Sequence, residues 1–394
     1  MHAEKLCHKW LQKVLPGMHR RRLSAVCAVV GGAFRGGKLN VTSLGRSIRG
    51  NAKTKHSIKR ADRLLSNDNL QREGDEVYRR LALLSLIGNK RPVILVDWSD
   101  IDARREFFLL RAAIAVKGRS LTVYEEVHTR ATRETRKTHA TFLNKLKETL
   151  PGGTTPIIVT DAGFRTPWFK QVLAIGWHFV GRIRNRELVQ LSHNQQWNGA
   201  KTLYSEATNT PRRFINVLLT RSNPLQCALV LFKAKPQGRK CRTKMGAIAR
   251  SRRSLVNAHR ATEPWLLATS LPENVAERDV VATYSTRMQI EESFRDLKCH
   301  RNGLDLYHNG TYKLSRMKML VLIGAIANTF AWILGQVARL NGAHKQFQAN
   351  TTTSVPVLSN VFVGIQIFRN SRCKIPWKLF DRSHLQSLTF QSLQ

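Results

Sequence analysis

The chain has 394 residues, 42% hydrophobic and 23% charged, a balance that excludes a disordered polyelectrolyte and allows a core domain with accessory segments. Its 65 Lys and Arg against 26 Asp and Glu leave a formal net charge of +39. Self-repulsion on that scale destabilises a compact chain unless a polyanion is the usual partner, and nucleic acid is the leading candidate. The basic residues are spread along the whole length instead of gathering on one amphipathic segment, which argues against a membrane surface as that polyanion. Cys7, Cys27, Cys227, Cys241, Cys299 and Cys373 lie far apart, without Cys-x-x-Cys spacing, and read as free thiols of a reducing cytosol. No apolar run precedes a small-residue cleavage site near Met1, so no secretory signal is expected.

Residues 1–90 read as helical and strongly basic, with 19 Lys or Arg against 6 Asp or Glu. Thr42 or Ser43 is the expected cap of a short helix, Gly50 and Asn51 interrupt it, and residues 53–65 resume the pattern through Ile58, Ala61 and Leu65. Two short helices carrying Arg46, Arg49, Lys53, Lys55, Lys59 and Arg60 suit presentation to a DNA groove, with a solvated basic face as the alternative.

From Pro92 the pattern changes to short apolar runs. Strands are expected over residues 92–98, 106–116 and 121–128, the last two joined tightly through Lys117, Gly118 and Arg119. A helix over 138–150, a strand over 156–160, a helix from about Pro167 and a strand over 178–184 follow. Three strands, helix, strand, helix, strand is the order of a ribonuclease H-like α/β core. Residues 207–262 contain no acid and 13 Lys or Arg, with strands expected over 214–219 and 225–232, a turn at Asn223 and Pro224, and an exposed loop over 237–240. This reads as a β-rich insertion lining nucleic acid. One amphipathic helix is expected over 278–299, then an apolar helix over 319–334, shorter than the roughly 20 residues of a membrane span and so read as a core helix. Beyond Gln346 regular patterning weakens. The expected divisions are residues 1–90, a core in two parts at 91–190 and 271–342, an insertion at 191–270, and a C-terminal region at 343–394.

Two carboxylates stand out. Asp97 follows Val93, Ile94, Leu95 and Val96, and Asp161 follows Ile157, Ile158, Val159 and Thr160. An acid at the carboxyl end of a buried strand is held rigidly at a sheet rim, where it can reach a ligand; taken singly, it can equally be a turn former. Two converging carboxylates repel, a conflict that a divalent cation removes. A two-metal phosphoryl-transfer site needs a third acid. On one helix, Tyr284, Arg287, Glu291 and Lys298 would share a face. Read from the residues alone, that face is also explained by an ordinary ion pair of Arg287 with Glu291.

The spacing Tyr284, Arg287, Glu291, Lys298, with the surroundings of Asp97 (Trp98, Ser99, Asp100) and of Asp161 (Ala162, Gly163, Phe164), resembles the signature of the insertion-sequence-4 family of bacterial DDE transposases, especially its insertion-sequence-10 group. The likeness runs from about residue 35 to about residue 350. It implies a ribonuclease H-like catalytic core interrupted by a β-rich insertion, behind a helical N-terminal DNA-binding region. It also implies a catalytic, metal-holding triad of Asp97, Asp161 and Glu291, with Glu292 one step off the signature, and two Mg²⁺ ions for which Mn²⁺ is a substitute. Tyr284, Arg287 and Lys298 are then expected to hold a terminal phosphate of DNA. Trp265 matches the tryptophan that stacks on a flipped base, although a Trp opening a strand is also ordinary core packing.

The implied activity is cut-and-paste transposition on double-stranded DNA, at the element ends and the target. The steps are strand hydrolysis, a hairpin formed by attack of the freed 3′-hydroxyl, hairpin opening and strand transfer. A homodimer in a paired-end complex, a bacterial cytoplasmic setting at the nucleoid and no membrane partner are expected with it. Residues 382–394 lack the amphipathic order of the family's subunit-pairing helices. A ribonuclease H-like nuclease without strand transfer, or an inactive DNA-binding relative, are the alternatives.

Overall fold

The computed structural model describes residues 2–370 apart from 117, 185–186, 193–195, 236–242, 244–246, 253, 257–261, 302, 350, 352–354 and 356. The loop expected over 237–240, Lys117 of the tight connection, Cys241, Cys373 and the tail over 382–394 lie outside the described residues. The chain forms two units, Met1–Thr154 with Met288–Gln394, and Thr155–Arg287.

The first unit opens with five helices, α1 (Ala3–Val14), α2 (Arg20–Gly36), α3 (Val41–Arg46), α4 (Thr54–Leu65) and α5 (Asp68–Ser85). The cap of α3 is Asn40, whose side-chain oxygen accepts the Ser43 N–H at 2.8 Å, so Thr42 and Ser43 fall inside the helix instead of capping it. Gly45 lets α3 meet α4 at backbone contact, because a Cβ there would overlap Ile58. Ala61, Leu64 and Leu65 are buried, while Arg46, Arg49, Lys53, Lys55, Lys59 and Arg60 are exposed.

Three antiparallel strands follow, β1 (Val93–Asp100), β2 (Phe107–Val116) and β3 (Arg119–Thr129), with β2 central and buried along its whole length. Gly118, at φ +76°, supplies the left-handed turn between β2 and β3. Helix α6 (Arg136–Thr149) comes next.

The chain returns to this unit with α9 (Met288–Lys298), α10 (Leu314–Leu340) and α11 (Asn360–Arg369). The apolar segment is thus 27 residues long, not the 16 expected. It is long and apolar enough to span a membrane by composition alone, but 89% of its most apolar window is buried within the protein. Burial, not length, makes it a core helix. Phe330 of α10 packs against Trp10, Phe34 and Phe368 with ring centroids 5.3 to 6.3 Å apart, joining α1, α2, α10 and α11 in one core. Helix α11 was not legible in the sequence. It is nearly apolar all round, with Val361, Val363, Ile365, Ile367 and Phe368 buried, so it shows little amphipathic period.

The second unit carries β4 (Ile157–Thr160), α7 (Thr166–Ala174), β5 (His178–Ile183), β6 (Leu188–Gln190), β7 (Asn198–Gly199), β8 (Arg212–Leu219), β9 (Leu225–Phe232), β10 (Trp265–Thr269) and α8 (Glu277–Ser285). Its strands run in the order β4-β5-β10-β9-β8-β6-β7. β4 and β5 pair in parallel, and β10 pairs antiparallel with both β5 and β9. The strands of the acid-poor segment therefore extend the sheet begun by β4 and β5. Gly181 is required where α7 crosses β5, since a Cβ there would overlap the Phe169 ring.

The helix expected over 278–299 is two helices. α8 ends at Ser285 and α9 begins at Met288. At the break the Ser285 and Thr286 hydroxyls donate to the carbonyls of Ala282 (2.6 Å) and Thr283 (2.7 Å), a competition with the helix ladder that favours its termination.

Candidate active site

The helix break divides the signature. Tyr284 belongs to α8 and Arg287 to the connection, in the second unit, whereas Glu291 and Lys298 lie on α9 in the first. A single helix face carrying all four is therefore corrected.

In the first unit Asp97 does not end its strand. β1 continues to Asp100, because Trp98, Ser99 and Asp100 remain paired with Leu110, Leu109 and Phe108. Asp97 is half-buried, and its Oδ1 accepts the Trp98 N–H at 2.8 Å, which fixes the carboxylate rotamer. Residues 97 and 99 share one face of the sheet and Trp98 points to the other, where its indole N–H donates to His139 Nε2 at 3.2 Å. Helix α9 covers the Asp97 face through buried Ile290, Phe294 and Leu297. Lys298 Nζ donates to Ser99 Oγ at 2.8 Å and lies 3.8 Å from Asp100 Oδ1. Burial lowers the Lys298 ammonium, with Asp100 and Asp97 opposing and Arg111 reinforcing the shift. Glu291 is exposed on α9. Glu292 is committed to Arg295 at 2.9 Å and faces Arg119 at 3.9 Å.

In the second unit Asp161 follows β4 directly and turns back on itself, its Oδ1 accepting the Gly163 N–H at 2.8 Å. It lines a cleft of about 380 Å³ with Arg165, Arg182, Arg184, Glu187 and Glu263. Tyr284 is buried, and burial pushes its hydroxyl up while Arg287 and Arg182 pull it down. Trp265 opens β10, half-buried, with its ring 4.9 Å from Tyr284 and 6.0 Å from Phe232, both edge-on. Asp161, Tyr284, Arg287 and Trp265 thus belong to one neighbourhood.

Arg182 was missed by sequence reasoning. Its guanidinium is mostly buried, lowered by desolvation, and leaves Nε without a hydrogen-bond partner beside the cleft. Arg184, two residues on, also leaves its Nε without a hydrogen-bond partner, with Glu263 at 3.8 Å. The available signal was the alternation of Arg182 and Arg184 at the end of an apolar strand.

Asp97, Asp161 and Glu291 are all carboxylates, the hard oxygen donors that suit Mg²⁺ or Mn²⁺. Their chemistry fits such an ion, although among the described residues no three His, Cys, Asp or Glu side chains stand grouped as a metal site.

Asp97 on β1 and Asp161 just beyond β4 stand near ammonium and guanidinium groups on an α/β scaffold, a combination of charges suited to phosphodiesters. The transposase DDE domain family matches residues 88–325, and the chain belongs to that family. Its core is accordingly ribonuclease H-like, its substrate is DNA, and its place is in DNA transposition and recombination. Members of the family generally use divalent metal ions. No curated protein matches the chain.

Proposed function

We propose that this chain is the transposase of a bacterial insertion sequence of the insertion-sequence-4 type, similar to the insertion-sequence-10 group. It binds terminal inverted repeats and performs cut-and-paste transposition through a hairpin intermediate. The observation that carries this reading is the partnering of an acid with phosphate-binding cations in each unit. Lys298 is tied to the Asp97 face of β1, Arg182 lines one cleft with Asp161, and Arg287, Arg182 and Asp161 all act on the buried Tyr284 hydroxyl.

Asp97, Asp161 and Glu291 would hold two Mg²⁺ ions, which when bound supply in-line alignment of nucleophile and leaving group and offset negative charge. Tyr284, Arg287 and Lys298 hold the phosphate next to the scissile bond, a task for which guanidinium and ammonium donors are suited. Trp265 offers a ring to a base extruded from the duplex, offsetting part of an unstacking cost of a few kcal/mol. The exposed basic residues of α3 and α4 contact the element end, and the 191–270 segment follows the DNA backbone. Two copies act in a paired-end complex in the bacterial cytoplasm.

Incubation of the full chain with Mg²⁺ and DNA carrying the inverted repeat tests this reading. The expected product is a hairpin-ended fragment that then joins to target DNA. Nicked DNA without a hairpin or joining selects the nuclease alternative, and tight binding without cleavage selects the inactive relative. Unchanged cleavage by Asp97→Ala would remove Asp97 from the catalytic set.

A further inference from the structure

A row of three charges crosses the first unit's sheet. Asp97 on β1 pairs in register with Arg111 on β2, and Arg111 pairs with Glu125 on β3. Residues directly opposite on antiparallel strands project to the same face with Cβ atoms about 4.5–5.5 Å apart. The order along the row is therefore acid, base, acid. Arg111 and Glu125 are both buried, and the Arg111 Nε donates to Glu125 Oε2 at 2.6 Å. The other Glu125 oxygen accepts the Tyr78 hydroxyl of α5 at 3.1 Å. On the helix side, the Arg111 guanidinium lies 4.9 Å from the ring centre of Phe294, which is three residues after Glu291 and four before Lys298 on α9.

A guanidinium cannot lose its charge, and burial makes it seek a counter-ion. Two carboxylates flank Arg111 along the row, and a divalent cation bound by Asp97 would compete with it for one of them. We propose that Glu125 is a positioning residue for divalent-cation binding: it neutralises Arg111, so that the guanidinium does not compete with the cation for Asp97. Glu125 touches neither substrate nor metal and acts only through Arg111. The inference rests on Asp97 being a metal ligand, as in the function proposed above.

Mn²⁺ alone, titrated into the full chain and followed by the paramagnetic resonance of free Mn²⁺, gives a readout independent of DNA cleavage. Glu125→Gln is expected to weaken Mn²⁺ binding at least tenfold. Arg111→Met, which removes the competing cation, is expected to leave binding unchanged or tighten it. Arg111→Met with Glu125→Gln is expected to return binding to within threefold of the native chain, whereas Arg111→Lys with Glu125→Gln keeps the charge and does not. Weaker binding by a folded Arg111→Met overturns the proposal, because Arg111 would then be supporting Asp97. Unchanged binding by Glu125→Gln overturns it too. If Glu125→Gln does not fold, the sign of the Arg111→Met effect and the double variant still decide. Asp97→Asn separates the two levels. If it leaves Mn²⁺ binding unchanged, the metal-ligand reading fails and this inference with it; if it abolishes binding while the Glu125 and Arg111 variants do nothing, only this inference fails.

Discussion

Lys298 Nζ and Ser99 Oγ are 2.8 Å apart, which ties the last turn of α9 to the strand that carries Asp97. Ser99 therefore aims Lys298 without itself being charged. Lys298→Met is expected to lower single-turnover DNA cleavage more than tenfold with little loss of stability, because it removes a partly desolvated ammonium that the proposed function assigns to phosphate. Ser99→Ala should reduce cleavage less and cost about 1 kcal/mol of stability in thermal melting, the net worth of one hydrogen bond. Equal effects of the two variants would show that Lys298 serves only as a tether.

Arg182 is mostly buried, with Nε unpartnered and its charge disfavoured by desolvation. Such a group is kept at a cost in stability. Arg182→Met is expected to melt at the native temperature or above it, while cleavage falls at least tenfold. A drop in melting temperature with full cleavage would make Arg182 a structural residue.

His139 accepts the Trp98 indole N–H, and burial lowers its imidazole to about 4 from an ordinary value near 6.5. The unfolded chain thus takes up a proton there between pH 6.5 and 4 that the folded chain does not. The stability contributed is full above about pH 6.5 and is lost as pH falls toward 4, by on the order of 1–2 kcal/mol after allowance for partial exposure. Urea denaturation at pH 7 and pH 4.5 should show this loss in the native chain and a smaller one in His139→Gln. An identical acid response in both would exclude His139 as its source.

Helices α10 and α11 meet backbone to backbone. A Cβ on Gly335 would overlap the Asn360 carbonyl, and one on Gly364 would overlap that of Ala331. Gly335→Ala and Gly364→Ala are each expected to destabilise by about 1–3 kcal/mol or more through overpacking. Gly17→Ala, with open space around its Cβ position, is the control that should melt normally.

The exposed cations of α3, of α4 and of the connection between them should act as phosphate contacts and not as readers of sequence. Each of Arg49→Ala and Lys55→Ala is expected to reduce the slope of log binding constant against log salt by about 1, equally for inverted-repeat and unrelated DNA. Loss confined to the inverted repeat would instead assign these residues to base readout.

Charge and periodicity determined a good deal without the fold. Strands β1, β4, β8 and β9 were legible because apolar runs bounded by turn residues leave little choice of structure, and Asp97 and Asp161 stood out because an ionised group is rare at the end of such runs. The Tyr284, Arg287, Glu291 and Lys298 spacing was equally visible, but its single-helix reading failed at Ser285 and Thr286, whose hydroxyls bond locally in a way that periodicity does not report.

What only the tertiary structure decided lies where residues distant in sequence meet. The row of Asp97, Arg111 and Glu125 exists because three strands pair in one register. The desolvation of Arg182, the anchoring of Lys298 on Ser99 and the burial of α10 depend on neighbours distant in the chain, 199 residues apart for Lys298 and Ser99. Sequence determined which groups carry charge and which segments are apolar, since both are properties of single residues and short windows. Register and burial determine what each charge faces, and they follow from long-range packing that no local pattern encodes.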